Sequence, residues 1–256
     1  MLKKLGVFAL AGALLSSSAL LSAKDLRVAT NPTYAPFEMV DSSTGKIVGF
    51  EVDLMEAMGK LTGNTIQWVN MDFDGIIPAV TTGMVDMAAS GFSINEKRKK
   101  KVDFLQPFFE SGLAIIINKD NDGKIKGMAD LKGKKVAVQM GTIGHDKAKE
   151  IPDVKISAFN QVGEAMMELA NNGVDAVINS APATVYMISV NPKLMKHTEL
   201  LPDLLNHGQT AMVVPKGNKA LADEMNKALS TLKANGTYSA IYKKWFKTEP
   251  PANLLK

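Results

Sequence analysis

Hydrophobic positions along the chain follow two alternating rhythms. Short apolar runs at residues 26–30, 66–69, 87–90 and 113–117 predict strands. Between them, 51–61 carries Val52, Leu54, Met55, Met58 and Leu61 at helical spacing, and 76–80 begins a second helix with Pro78 in its first turn. The segment Asn31-Pro32-Thr33-Tyr34-Ala35-Pro36 reads as a loop whose two prolines exclude regular structure. A second series then starts, with strands at 135–139 and 176–179 and helices at 163–172 and 181–189. The loop 140–144 leads into a helix that runs to about residue 150, and Gly173 stops the helix before it. A strand at 211–214 and helices at 219–234 and 237–246 complete the pattern. Strand and helix alternate throughout, which predicts α/β architecture. Two such series predict two lobes with a cleft between them. The sequence has no internal repeat and no low-complexity stretch.

The first residues follow a different pattern. Lys3-Lys4 precede an almost wholly apolar run at 5–15, then small residues, with Leu21-Ser22-Ala23 as a cleavage point. That order is a secretory signal peptide over residues 1–23, and the apolar run falls short of the roughly 20 residues of a membrane span. Removal of Lys3 and Lys4 lowers lysine plus arginine from 30 to 28 against 26 acids, so the mature chain is nearly neutral. The basic character of the full sequence is therefore no argument for nucleic acid. Cysteine is absent, which excludes a lipid-anchored cysteine, a disulfide framework and a thiolate metal site. A chain of this length builds its core without such staples.

The three histidines, His145, His197 and His207, have no metal-site spacing, and there is no nucleophile elbow or phosphate-binding loop. The dense run Lys97-Arg98-Lys99-Lys100-Lys101 reads mainly as a solvated helix face. No aromatic interleaving accompanies it, so it is no nucleic-acid site. Arg98 stands apart. It lies a few residues after Ser90-Gly91-Phe92-Ser93, at a strand end where α/β proteins bind ligands, and a guanidinium there can hold a carboxylate by two parallel hydrogen bonds. Gly141-Thr142-Ile143-Gly144 opens a helix after a strand, where backbone N–H groups can receive an anion. Tyr34 and Phe73 lie in or beside loops after strands; as core residues or as a stacking surface for a ligand, either role fits the pattern.

Several blocks together carry a family resemblance. They are Asn31-Pro32-Thr33-Tyr34-Ala35-Pro36-Phe37-Glu38, Gly49-Phe50-Glu51-Val52-Asp53-Leu54, Phe73-Asp74-Gly75-Ile76-Ile77-Pro78-Ala79-Val80 with Gly83-Met84-Val85-Asp86, Ser93-Ile94-Asn95-Glu96-Lys97-Arg98, the stretch 130–138, and Asn235-Gly236-Thr237-Tyr238. In order and spacing the chain resembles the periplasmic solute-binding proteins of polar amino-acid ABC importers, over essentially its whole mature length. The resemblance implies the type II periplasmic binding protein fold, an α/β fold of two lobes crossed twice at a hinge. Residues 24–112 plus 211–256 would form one lobe and 113–210 the other. It implies a monomeric periplasmic receptor that closes on a small polar carboxylate, an amino acid above all. The receptor would deliver its ligand to a membrane ABC permease and would need no cofactor.

The resemblance also assigns roles. Arg98 would clamp the ligand carboxylate, with Ser93 and the N–H of Ile143. Ser90 or Gly91 would orient the polar head. Tyr34 and Phe73 would pack the ligand side chain from opposite sides, and Asn31 would reach its far end. One position departs from the pattern. Where many members carry an acid that pairs with the ligand ammonium, this chain has Ser180, which cannot neutralise a buried cation. Either another carboxylate such as Asp74 or Glu110 then helps, or the ligand head is not a standard zwitterion. Asn31 also replaces the aspartate of binders of basic amino acids, which favours a neutral, acidic or modified ligand. Cyclohexadienyl dehydratases look like members of the same family, but their chemistry needs a general acid in the cleft, and Ser180 supplies none. A soluble sensor for a membrane receptor is a third reading of the same architecture.

Overall fold

The computed structural model describes residues 24–121 and 123–255, so the signal-peptide segment lies outside the described residues. Two five-stranded sheets organise the chain, each covered by helices. In the first, Asp25–Thr30 lies between Thr65–Asn70 and Met87–Ala88, parallel to both, and Val213–Pro215 pairs antiparallel with Met87–Ala88 and Val102–Phe104. The second repeats that plan. Lys135–Gln139 lies parallel between Lys155–Phe159 and Ala176–Ser180, and Leu113–Asn118 runs antiparallel between Ala176–Ser180 and Thr198–Leu200. Leu113–Asn118 is buried along its whole length, which is why it reads in sequence as an unbroken apolar run.

The chain passes between the sheets twice, and the two passages pair with each other. Phe109–Ser111 and Gly208–Thr210 form a two-stranded antiparallel ribbon, with Gln209 opposite Glu110. Ser93 bridges to Thr210 beside that ribbon, so the Arg98 segment is tied directly to the hinge.

Helices mostly form where the apolar spacing places them. Phe50–Thr62 buries Phe50, Val52, Leu54, Met55 and Met58 and ends at Gly63, a left-handed residue whose N–H bonds to the Gly59 carbonyl. Lys219–Ala234 is capped by the Asn218 side chain and Thr237–Phe246 follows it. Their apolar faces meet Phe50 and Met58 in the largest core cluster.

Two local expectations are corrected. Thr33–Tyr34 is a short strand paired with Glu38–Val40, because two of the three residues between the prolines are enough to make a ladder without a proline N–H. The helix expected from 76 starts at Phe73, which puts Pro78 in its interior rather than its first turn. Asp74 and Gly75, both weak helix formers, hide the true start from a reading of the pattern. Among the described residues no helix is long and apolar enough to cross a membrane.

Candidate functional site

The carboxyl ends of the parallel strands in both sheets face one cleft, as expected for open α/β sheets. The cleft has about 450 Å³ of empty space, part of it open to solvent. All nine residues singled out in the sequence line it: Asn31, Tyr34, Phe73, Ser90, Gly91, Ser93, Arg98, Ile143 and Ser180. Glu38, Leu113, Gln139, Thr142, Gly144 and Asn179 line it as well.

Arg98 sits on the one-turn helix Glu96–Lys99, whose Asn95 cap accepts from the Arg98 N–H at 2.8 Å. It is the buried member of the basic run; Lys97, Lys99, Lys100 and Lys101 are exposed. Its Nη1 donates to the Ser93 carbonyl at 3.0 Å and its Nη2 to the Gly141 carbonyl across the cleft at 3.3 Å. The guanidinium also lies 5.3 Å from the Phe73 ring centre and 5.2 Å from that of Phe92, which stack on each other. None of these partners carries a charge. Burial lowers the Arg98 pKa to about 10, with Asp146 and Tyr34 acting in the opposite direction. A buried cation held only by carbonyls and rings is built to receive an anion.

Other lining groups are already engaged. The Asn31 amide donates to the Met71 carbonyl at 3.0 Å, and its oxygen accepts from Thr33 Oγ1 and Gln139 Nε2. Tyr34 stacks on Phe37 and packs against the cores of both lobes. Burial raises its phenol pKa, and the Ser180 hydroxyl beside it works the other way. Ser180 Oγ is itself buried without a hydrogen bond of standard geometry. Thr142 caps the short helix Ile143–Ala148 by accepting from the His145 N–H.

The acids suggested as substitutes for Ser180 lie elsewhere. Asp74 is exposed and outside this cleft, and Glu110 is exposed and accepts from Asn253 at 2.5 Å. The carboxyl that does line the cleft is Glu38, buried with Glu51 beneath Ser90 and Gly91. Both lie inside sequence blocks that carried the family resemblance, but strand and helix periodicity alone assigns them no cleft role. Among the described residues no group of three or more His, Cys, Asp or Glu is placed to hold a metal.

Two similar sheets, a paired hinge and a polar cleft between them define a two-lobed solute-binding protein of the type II periplasmic binding fold. The chain belongs to the bacterial extracellular solute-binding proteins, family 3, whose profile matches residues 26–248. It is 32% identical over 220 residues to a probable histidine-binding protein of Campylobacter jejuni, covering 86% of this chain and 84% of that one. An ancestral arginine-binding protein bound to arginine is 40% identical with a TM-score of 0.82, over 87% of this chain and 98% of that one. An ancestral amino acid-binding protein described as a precursor of cyclohexadienyl dehydratase is 37% identical with a TM-score of 0.79, over 87% of this chain and 95% of that one.

Proposed function

We propose that this protein is the periplasmic receptor of an ABC importer that captures an amino acid by hinge closure, as a monomer, and hands it to the membrane permease. The observation that carries the reading is the buried Arg98 guanidinium, held by uncharged groups and open to the cleft. A carboxylate entering there gains a forked pair of charged hydrogen bonds. Ser93 and Ile143 stand beside it from opposite lobes, while Tyr34 and Phe73 offer rings to the remainder of the ligand. Contacts from both lobes favour the closed state by differential affinity, and no covalent step is involved. The histidine- and arginine-binding names of relatives support an amino acid as the ligand. Arg98 and Glu38 are the basic and the acidic residue of the cleft wall, so an amino acid with a neutral side chain matches it best.

A thermal-shift screen of the amino acids, dicarboxylates and modified amino acids tests this. A true ligand at 100 times its Kd adds about 2.7 kcal/mol, which raises Tm by roughly 5–10 °C for a chain of this size. A screen in which no amino acid shifts Tm would remove the reading.

A second reading draws on one observation. Glu38 brings a protonatable carboxyl to the cleft wall, so the lack of an acid at Ser180 does not by itself deny the cleft a general acid. Incubation with prephenate or arogenate separates the two readings, because turnover of either would make the protein a dehydratase.

A further inference from the structure

The cleft holds a buried cation and its wall a buried pair of carboxyls, none of them paired with an opposite charge within the protein. Arg98 lacks a carboxylate partner at one end. At the other, Glu38 and Glu51 are both 0% exposed and lie within hydrogen-bond reach of each other. Each carboxyl is anchored through one oxygen. The Ser90 hydroxyl donates to Glu38 Oε1 at 3.2 Å, and the Gly91 N–H donates to Glu51 Oε2 at 2.7 Å. The other oxygens, Glu38 Oε2 and Glu51 Oε1, are buried with no N–H or O–H donor.

No ion pair among the described residues includes either acid. On the helix Phe50–Thr62, Asp53 bonds to Lys244 and Trp245, and Glu56 to Trp68, so both are engaged elsewhere. The titratable group beside the pair from the strand Thr33–Tyr34 is the Tyr34 phenol, and the segment at 90–91 contributes only a hydroxyl and an N–H. Two buried carboxyls in contact, with no cation beside them, are held in the neutral form, so the pair carries both its protons in the empty cleft. Burial, the largest effect on each, holds both above the usual carboxylate range.

We infer that the Glu38–Glu51 pair is the counter-charge for the ligand's cationic group, exchanging one proton for that cation on binding. A zwitterion whose carboxylate sits on Arg98 presents its ammonium to Glu38. One proton leaves the neutral pair for solvent, and the single negative charge that remains balances the ammonium. Ser180 Oγ, buried on the opposite wall beside the Tyr34 phenol, accepts one ammonium N–H. The charge missing at Ser180 is thereby supplied from the first lobe. Both ends of the zwitterion are then neutralised by that lobe, and the second lobe contributes hydrogen bonds alone.

This inference rests on the amino-acid reading, and its test is arranged to separate the two. Calorimetry on the full mature chain uses L-glutamine, L-histidine and L-arginine in phosphate and in Tris, whose ionisation enthalpies differ. The expected result is release of close to one proton per bound amino acid near pH 7. Glu38→Gln and Glu51→Gln should lose that release and weaken binding by about tenfold or more. Infrared difference spectra of the wild type give a readout free of folding defects in the variants. A protonated-carboxyl band in the empty protein should weaken on saturation. Tight binding with no proton release and an unchanged band would overturn the proposal. Failure of all three amino acids to bind would refute the amino-acid reading instead. The pair is then judged on methylammonium chloride alone, and a carboxyl band that it leaves unchanged overturns the proposal too.

Discussion

Gln139, at the end of a strand in the second sheet, donates through Nε2 to Asn31 Oδ1 at 3.0 Å, at the end of a strand in the first. The two lobes are therefore joined inside the cleft by an amide–amide bond between their own side chains. Lys97 with Asp146 and Asn160 with Asp72 join them again at the rim. The lobes are thus fastened to each other by the protein's own side chains as well as by the hinge.

Gln139→Ala removes the inner link and leaves Asn31 its bonds to Met71 and Thr33. A net hydrogen bond contributes about 0.5–1.5 kcal/mol, so amino-acid affinity should fall roughly 2- to 10-fold. Small-angle scattering should show a larger radius of gyration for the ligand-free variant. Identical scattering and affinity would mean that the link does not bias closure.

Arg98→Met should separate binding from stability. Loss of two charged hydrogen bonds to a carboxylate, each about 1.5–3 kcal/mol, should weaken binding by about 100-fold or more. The ligand-free Tm should hold or rise, since a buried guanidinium without a carboxylate partner gives way to an apolar chain of similar length. Arg98→Lys should not restore affinity, because an ammonium cannot form the planar fork. Calorimetry and thermal melts check both halves; wild-type affinity in Arg98→Met would dismiss the carboxylate clamp.

Gly141→Ala should obstruct closure. Gly141 has φ 74°, and a Cβ there would stand 2.7 Å from Asp74 Cβ on the other lobe. The left-handed backbone alone costs an alanine about 1–2 kcal/mol, and the clash with Asp74 adds to it only when the lobes meet. Affinity should drop more than stability does, and scattering should stay that of the open form at saturating ligand. Full compaction with ligand would contradict this.

Stability should depend on pH through the buried glutamates. Burial holds the pKa of both Glu38 and Glu51 above the unfolded value of 4.5, Glu51 at about 8. Above the unfolded value the folded chain keeps protons that the unfolded chain has released. Their stabilisation is complete below that value and is lost as pH rises toward the folded one. The lowered pKa values of Asp86, Asp103 and Glu96 act with the opposite sign, but at more acidic pH. The ligand-free protein should therefore melt higher at about pH 5 than at about pH 8, each kcal/mol being worth about 2–4 °C. The Glu38→Gln/Glu51→Gln double variant should flatten that dependence. An equal slope in wild type and variant would place the titrating groups elsewhere.

Much of the architecture was legible because the relevant signals are local. Period and run length mark Leu113–Asn118 as a buried strand and Lys219–Ala234 as a helix. The hinge strands Phe109–Ser111 and Gly208–Thr210 were not legible, being three residues each with partners about a hundred positions away. The interior position of Pro78 was hidden by Asp74 and Gly75, whose weak helix propensity is overruled in the folded chain.

At the site, the sequence by itself determined that the chain is α/β with two similar halves. Taken with the family pattern, it also identified Arg98 and eight other candidate positions. What ligand charge the cleft could balance was another matter. Ser180 removed the expected acid, and Asp74 and Glu110 were reasonable substitutes that the fold leaves outside. Only the tertiary structure set Glu38 beside Glu51 under Ser90 and Gly91. The physical reason is that a carboxylate in a sequence reads as surface, because burial is expensive without a partner. The partner here is another carboxyl and the protons the pair keeps, brought together by a strand and a helix that only the folded chain makes neighbours.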